Sequence, residues 1–167
     1  MLQPLKRKNG PEPEHIILSL LETLTPYNTL VIRHETRMKK ALATVEELKN
    51  NYARFMGAYD PHYLRTVHEV NNMLFTAEVQ LKSAIFRQES RMAAREDFPF
   101  MDNDNWLRWI NIYNDGGSIG IDTEEVPVKK YKLKPAKGKT LYRIWDTVRQ
   151  SGLVSIKDNR VQWNIPG

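Results

Sequence analysis

The sequence contains no cysteine, and this absence removes several kinds of chemistry at once. Without a thiol the chain can form no disulfide, no thiolate metal site and no cysteine nucleophile. No stretch approaches the roughly 18 consecutive apolar residues of a membrane-spanning helix. The start, MLQPLKRKNGPEPEH, has no apolar segment ahead of a cleavage site. We therefore expect no signal peptide, no membrane span and a cytoplasmic location.

Glycine-rich patterns that hold phosphate groups are also missing. The sequence has no P-loop, and no G-x-G-x-x-G that could seat the pyrophosphate of a dinucleotide. Gly116 to Gly120 does spell G-x-S-x-G, but a nucleophile elbow needs a helix after the serine. Val126 and Pro127 follow instead, so we interpret Ser118 as part of a hairpin turn.

The sequence contains only the first residues of known metal-binding motifs. His34-Glu35 and His68-Glu69 start like H-E-x-x-H, and the closing positions hold Met38 and Asn72. Asp102 and Asp104 start like a calcium loop whose twelfth position would be Tyr113. The sequence therefore predicts no catalytic, no cofactor-binding and no metal-ligating residue in this chain.

The charge is uneven along the chain. The net charge is +5, and the part from Glu125 onward has ten Lys/Arg against three Asp/Glu, a net charge of +7. The rest therefore carries about −2. A basic C-terminal part is typical of a solvated tail, and also of a surface that binds nucleic acid or an acidic protein.

Three apolar stripes with helical spacing dominate the first half. They predict helices over 13–24, 35–57 and 61–92, the third of which begins with Asp60 as N-cap and Pro61 at the first position. The two longer stripes repeat every three and four residues, which favours packing against other helices. We expect a mainly α fold, an antiparallel three-helix bundle of the spectrin-repeat kind. The expected seam positions are Ile17, Leu20, Leu21, Leu24; Met38, Ala41, Val45, Leu48, Tyr52, Phe55; and Val67, Val70, Leu74, Ala77, Leu81, Ala84.

The pattern of apolar and polar residues changes after Pro99. LRWINIY alternates like a strand, NDGG indicates a turn, and SIGID can return as the second strand of a small hairpin. An extended basic stretch, a helix ending near Gly152 and a hairpin turning at Asp158-Asn159 follow. We predict a disordered N-terminus over 1–13, a helical domain with hairpin over 14–135, and a basic helix-plus-hairpin tail over 136–167.

The charged residues at the end of the third stripe occur in a characteristic order. Glu89-Ser90-Arg91 is followed by Arg95-Glu96-Asp97-Phe98-Pro99 and by Asp104-Asn105-Trp106-Leu107-Arg108. This series resembles the C-terminal helical domain of the fumarate reductase and succinate dehydrogenase flavoprotein subunits. Aspartate oxidase and the adenylylsulfate reductase alpha subunit belong to the same superfamily. The resemblance covers roughly residues 14–135. It departs at Met92, where the family has Gly, in the absence of the following His, and at Arg108-Trp109, where the family has Lys-His.

The resemblance implies a function that is not catalytic in this chain. In the family, the FAD-binding and substrate-capping domains lie upstream of this segment and carry the redox chemistry. The chain would be a C-terminal domain or separate subunit of an FAD-dependent oxidoreductase. It would bind no cofactor alone, with FAD in the parent enzyme, and its partner would be a flavin-binding domain or subunit, with an iron–sulfur subunit as a further candidate. The expected docking surface comprises Glu89, Ser90, Arg91, Arg95, Asp97, Asp104, Asn105 and Trp106.

Two other functions remain open from the residues. The basic tail, with Trp145 and Trp163 on a helix and hairpin, could form a crude winged element that binds nucleic acid. This is the alternative function, although nucleic acid is not the expected partner, because the tail aromatics fit core positions as well as stacking positions. A plain helical scaffold or adaptor is the third possibility.

Overall fold

The first 86 residues are mainly helical in the computed structural model, which describes residues 2–7, 9–132 and 134–164. A 3-10 turn, Gln3–Lys6, precedes the first long helix. The helices are α1 (Pro13–Leu24), α2 (Tyr27–Leu30), α3 (Glu35–Glu47) and α4 (Pro61–Phe86), with the short strand β1 (Ile32–Arg33) before α3. A π turn (Leu48–Tyr52) and a 3-10 turn (Ala53–Phe55) extend α3.

The second half is built from short paired strands and two short helices. In chain order they are β2 (Ala94–Arg95), β3 (Phe100–Asp102), α5 (Asn103–Trp106), β4 (Arg108–Asp115), β5 (Ser118–Glu125), a 3-10 turn (Val128–Lys130), β6 (Lys139–Leu141), α6 (Arg143–Gln150), β7 (Val154–Lys157) and β8 (Arg160–Trp163). β1 pairs with β2 in parallel, whereas β3–β6, β4–β5 and β7–β8 are antiparallel. Helices account for about half of the chain, with small antiparallel ladders beside them.

The chain divides into two compact units. The first comprises residues 1–30 and 36–84, and the second comprises 31–35 and 85 onward. This division does not fall at residue 135, because β6 pairs with β3 and so places Leu141 opposite Phe100. At the N-terminus, Pro4 is buried and its carbonyl accepts the Ala58 N–H at 3.0 Å, which differs from the expected disorder of residues 1–13.

The core of the first unit follows the predicted stripes, with one shift. On α4 the five stripe positions from Val67 to Leu81 are buried, and Asp60 caps the helix by accepting the Tyr63 N–H at 3.0 Å. The second stripe is buried from Met38 on α3 to Leu48, the first residue of the π turn. The prediction was wrong for Tyr52 and Phe55, which are exposed, since the π turn adds a residue and rotates the following positions.

Helix α1 turns a slightly different face inward. Ile16 and Leu20 are buried, whereas Leu21 is 43% exposed and Ile17 and Leu24 are only partly buried. The expected seam is confirmed at Leu20 and was wrong at Leu21, and Ile16 rather than Ile17 is the buried residue of the first turns. A short helix with apolar residues at 16, 17, 18, 20 and 21 leaves the inward face ambiguous. The antiparallel three-helix bundle itself stays a prediction.

Both predicted hairpins are confirmed. The β4–β5 turn holds Gly116 and Gly117 at φ of 57° and 92°, a region that glycine enters at little cost. The β7–β8 turn holds Asp158 and Asn159 at 51° and 57°, the pattern of a two-residue type I′ turn. Ser118 directly follows the turn as the first residue of β5 and is exposed.

Candidate functional site

The charged turn, residues 87–105, begins where α4 ends. The prediction that this helix continues to residue 92 was wrong, because α4 ends at Phe86. Arg95 folds back onto that end: its Nη1 donates to the carbonyls of Arg87 at 2.5 Å and Ile85 at 3.4 Å. Unpaired carbonyls at a helix C-terminus favour a cation, and here the cation comes from a residue beyond the helix.

Glu89 is the centre of the charged turn, and its side chain is fully buried. Its Oε1 accepts Arg87 Nη1 and Arg91 Nε, each at 2.6 Å. Its Oε2 accepts Arg91 Nη2 at 3.1 Å and the backbone N–H of Asp102 at 2.9 Å. Four donors compensate the loss of water around this carboxylate, as a buried charge requires.

Arg87 and Arg91 carry this network outward to the following helix and strand. Arg87 donates to the carbonyls of Trp106 and Arg108, both at 3.0 Å, and lies 5.8 Å from the Trp106 ring centre. Arg91 donates to Asn103 Oδ1 at 2.6 Å. Arginine suits these positions because its guanidinium can donate to several acceptors in one plane.

Arg95 and Asp97 form a second buried pair. Arg95 Nε donates to Asp97 Oδ1 at 2.9 Å and Nη2 donates to Oδ2, while the guanidinium lies 4.7 Å from the Phe98 ring centre. The N–H of Glu35 also donates to Asp97 Oδ2, at 3.1 Å. Burial alone would raise the pKa of Asp97, but the hydrogen bonds and charge of Arg95 together with the Glu35 N–H outweigh it and lower that pKa.

Ser90 closes the loop between these two pairs. Its fully buried Oγ accepts the Arg95 N–H at 2.8 Å and donates to the Phe98 carbonyl at 2.9 Å. Inside the loop, Met92 has a φ of 65° and is 93% exposed. This left-handed conformation favours glycine, which is the residue that the resembling family carries at this position.

Asp102 connects the charged turn to β6. It caps α5 by accepting the N–H and Nδ2 of Asn105 at 3.2 and 2.9 Å, and Lys139 lies 3.3 Å away. Burial would raise the pKa of Asp102, but the Asn105 hydrogen bonds and the Lys139 charge lower it. Beside it, Asp104 Oδ1 accepts the Gly138 N–H at 3.0 Å.

The C-terminal elements also fasten to the charged turn. The carbonyl of Glu96 accepts the Val161 N–H and its carboxylate accepts Trp163 Nε1, both at 2.9 Å. The Trp163 ring meets Trp145 edge-on at 6.3 Å, and Trp145 is fully buried. The helix-plus-hairpin tail is therefore part of the scaffold around the turn.

The eight residues expected to dock differ in exposure. Glu89, Ser90 and Arg95 are buried, and Asp97 is nearly so. The expectation that Arg95 is a surface residue was wrong, because the loop folds it under the helix end. Arg91 and Trp106 are partly exposed, whereas Asp104 and Asn105 are exposed. Sequence reasoning did not place Arg87, Asp102 and Asn103 in this set. Arg87 was expected inside a helix running to residue 92, and the contacts of Asp102 and Asn103 with Glu89 and Arg91 join residues 13 and 12 positions apart.

Comparison with known proteins identifies the family. Residues 19–140 match the family described as fumarate reductase flavoprotein C-terminal, which is well over half of the chain. The chain belongs to this family. The charged turn lies inside the matched range, and most of the helix-plus-hairpin tail lies beyond it.

Two curated proteins are similar in sequence to this chain. A fumarate reductase flavoprotein subunit of Haemophilus influenzae is 32% identical over 143 residues, which cover 81% of this chain and 23% of that protein. An uncharacterised FAD-dependent oxidoreductase of Methanocaldococcus jannaschii is 40% identical over 72 residues, 41% of this chain and 13% of that protein. The chain thus spans less than a quarter of the length of either relative.

Two further observations bear on the kind of site. Among residues 2–7, 9–132 and 134–164, no group of three or more His, Asp or Glu side chains is placed to hold a metal ion. In the same residues, no helix combines the length and the hydropathy needed to cross a membrane.

Proposed function

We propose that this chain is a non-catalytic C-terminal helical domain or separate subunit of an FAD-dependent oxidoreductase like fumarate reductase or succinate dehydrogenase. It docks on a flavin-binding domain or partner subunit. The observation that carries the proposal is the family match over residues 19–140, in a chain that spans only 23% of the flavoprotein subunit from Haemophilus influenzae. The remaining length of such a protein would hold the flavin and the substrate.

The charged turn supplies the chemistry for docking. Its buried members, Glu89, Ser90 and Arg95, fix the shape of the loop. Its accessible members, Arg91, Asp104, Asn105 and Trp106, present a cation, an anion, an amide and an aromatic ring within a short stretch. Such mixed surfaces form charge-assisted hydrogen bonds with a partner, and aromatic and arginine side chains are enriched in interfaces.

The cofactor belongs to the partner in this proposal. The sequence has no glycine-rich turn that could approach a pyrophosphate, so the purified chain should be colourless. FAD would be bound by the flavin-binding partner, and an iron–sulfur subunit is a further candidate component of the assembly.

The experiment is a pull-down from the native source with the tagged full chain. The expected eluate contains a flavoprotein, identified by mass and by flavin absorbance. Asp104→Asn removes an exposed charge and keeps the acceptor for the Gly138 N–H, so it should weaken capture while the fold persists. Glu47→Gln on α3 is the control with the same charge change. An eluate without flavin, or a flavin spectrum on the chain alone, contradicts the proposal.

The exposed lysines favour a second candidate, a nucleic-acid-binding module. Lys129, Lys130 and Lys132 are exposed and follow one another closely. Against it, Trp145 is fully buried and cannot stack on a base. Neutralising Lys129, Lys130, Lys132 and Lys134 should abolish salt-sensitive nucleic-acid binding and leave flavoprotein capture unchanged. Loss of the only detectable partner in that variant would favour the nucleic-acid function.

A further inference from the structure

The β4–β5 hairpin displays large apolar side chains to solvent. None of residues 108–125 is buried, and Trp109 and Tyr113 are 46% and 48% exposed. The pairing register places Trp109 opposite Glu124 and Tyr113 opposite Gly120, so both aromatic rings share one face. The Tyr113 ring lies over Gly120, where an added Cβ would meet it at 2.4 Å. A two-stranded ladder in water is marginally stable, and exposed apolar patches of this kind mark docking surfaces.

The charge of this hairpin defines the chemistry of its partner. Residues 108–125 contain one Arg and four Asp or Glu, a net charge of −3 in a chain of +5. Asp122 and Glu124 lie on the same face as the two aromatic rings. A surface rich in lysine would complement this face, because ammonium groups pair with carboxylates and are attracted to aromatic rings.

The chain itself carries such a surface. Residues 128–139 contain six Lys and no acidic residue. In the described part of the chain, the ion pairs include neither Asp122 nor Lys129, Lys130 and Lys132. Both surfaces therefore remain available to a second copy.

The order of these elements suits a two-fold arrangement. Each strand of the hairpin has eight residues and is about 26 Å long, and the lysine segment starts just beyond its base. A two-fold axis near the bases of two hairpins brings the base of each hairpin, which carries Trp109 and Glu124, beside the lysine segment of the other copy. Each acidic hairpin then meets the lysine segment of the other copy, and one contact is made twice.

We propose that the hairpin face with Trp109 and Tyr113 is the interface of a homodimer, in which it docks on residues 128–139 of a second copy. This interface is distinct from flavoprotein docking and does not depend on it. Because it is small and charged, it should be weak and salt-sensitive.

Sedimentation velocity of the full chain over a range of concentrations measures the dimer. At low salt we expect a concentration-dependent dimer, and raising NaCl about tenfold should weaken it at least tenfold. Trp109→Ser keeps the charges and should also weaken it at least tenfold. A chain that stays monomeric at low salt overturns the proposal, as does a dimer that is insensitive to salt.

Charge exchange identifies the two surfaces. The hairpin variant Asp122→Lys with Glu124→Lys and the segment variant Lys129→Glu with Lys130→Glu should each be monomeric alone. An equimolar mixture should dimerise again. The control Glu14→Lys with Glu47→Lys changes two exposed helical carboxylates and should dimerise normally. Circular dichroism checks the folding of each variant. If the hairpin variant misfolds, the segment variant still tests the interface, because its substitutions are at exposed lysines. Dimers of both single variants, or a mixture that stays monomeric, contradict the proposed interface.

Discussion

The guanidinium of Arg95 forms a two-point ion pair with the carboxylate of Asp97, and both side chains are almost removed from solvent. The same guanidinium donates to two carbonyls at the end of α4. One residue therefore joins the helix end, the loop and the acidic partner. Arg95 therefore contributes more to the stability of the fold than a surface arginine would.

The first prediction compares the two arginines of the charged turn. Arg95→Ala should lower the free energy of unfolding by about 3–5 kcal/mol, because it leaves Asp97 buried without its cation. Arg91→Ala should cost about 1–2 kcal/mol, since Glu89 keeps Arg87 and the Asp102 N–H. Urea unfolding followed by tryptophan fluorescence measures both, as all four tryptophans lie in the second unit. Equal effects of the two substitutions would contradict this arrangement.

The second prediction concerns acid stability. The pKa of Asp97 is lower in the folded chain than in the unfolded chain, where it is about 4. Its ion pair therefore stabilises the fold fully above about pH 5, and this stabilisation is lost as the pH falls through 4 toward the folded pKa. In Asp97→Asn the loss of stability between pH 7 and pH 3 should be smaller. Urea unfolding at both pH values checks this, and an NMR titration showing an ordinary Asp97 pKa would refute it.

The third prediction tests the core of the first unit with neighbouring residues. Leu74 is fully buried on α4, whereas Phe75 is 54% exposed. Leu74→Asp places an unpaired carboxylate in the core and should cost several kcal/mol, about enough to unfold a marginal unit. Phe75→Asp is the matched control and should change stability by less than about 1 kcal/mol. Thermal denaturation by circular dichroism compares them, and a similar melting temperature for both would mean that the stripe is not buried.

Local signals in the sequence were sufficient for much of the fold. The burial of the five stripe positions from Val67 to Leu81 could be predicted, because over the 26 residues of α4 the helical period places them on one face. Asp158-Asn159 turns a hairpin because few residue pairs adopt positive φ so easily. The π turn after Glu47 could not be predicted, since nothing in the spacing of LKNNY distinguishes it from continued α-helix.

The sequence indicated a charged cluster at this turn but neither its full membership nor its geometry. The ion pairs Arg91–Glu89 and Arg95–Asp97 each join residues only two positions apart in the sequence. Their burial was not expected, because it depends on distant strands: the β1–β2 pairing aligns Arg33 with Arg95, and the Glu96 N–H donates to the Arg33 carbonyl at 2.9 Å. Contacts between residues some sixty positions apart leave no periodic signal in one sequence.

The last prediction concerns the exposed residue of this loop with an unfavourable backbone. Met92 has a φ of 65°, a conformation that costs a residue with a Cβ about 1–2 kcal/mol and costs glycine almost nothing. Part of this gain is offset, because glycine has more conformational freedom in the unfolded chain. Met92→Gly should therefore raise the free energy of unfolding by up to about 1 kcal/mol. Met92→Ala is the matched control: it removes the same exposed side chain, keeps the strain, and should leave stability nearly unchanged. Urea unfolding followed by tryptophan fluorescence measures both variants. If the glycine variant is no more stable than the alanine variant, the left-handed conformation of residue 92 is not a source of strain in this loop.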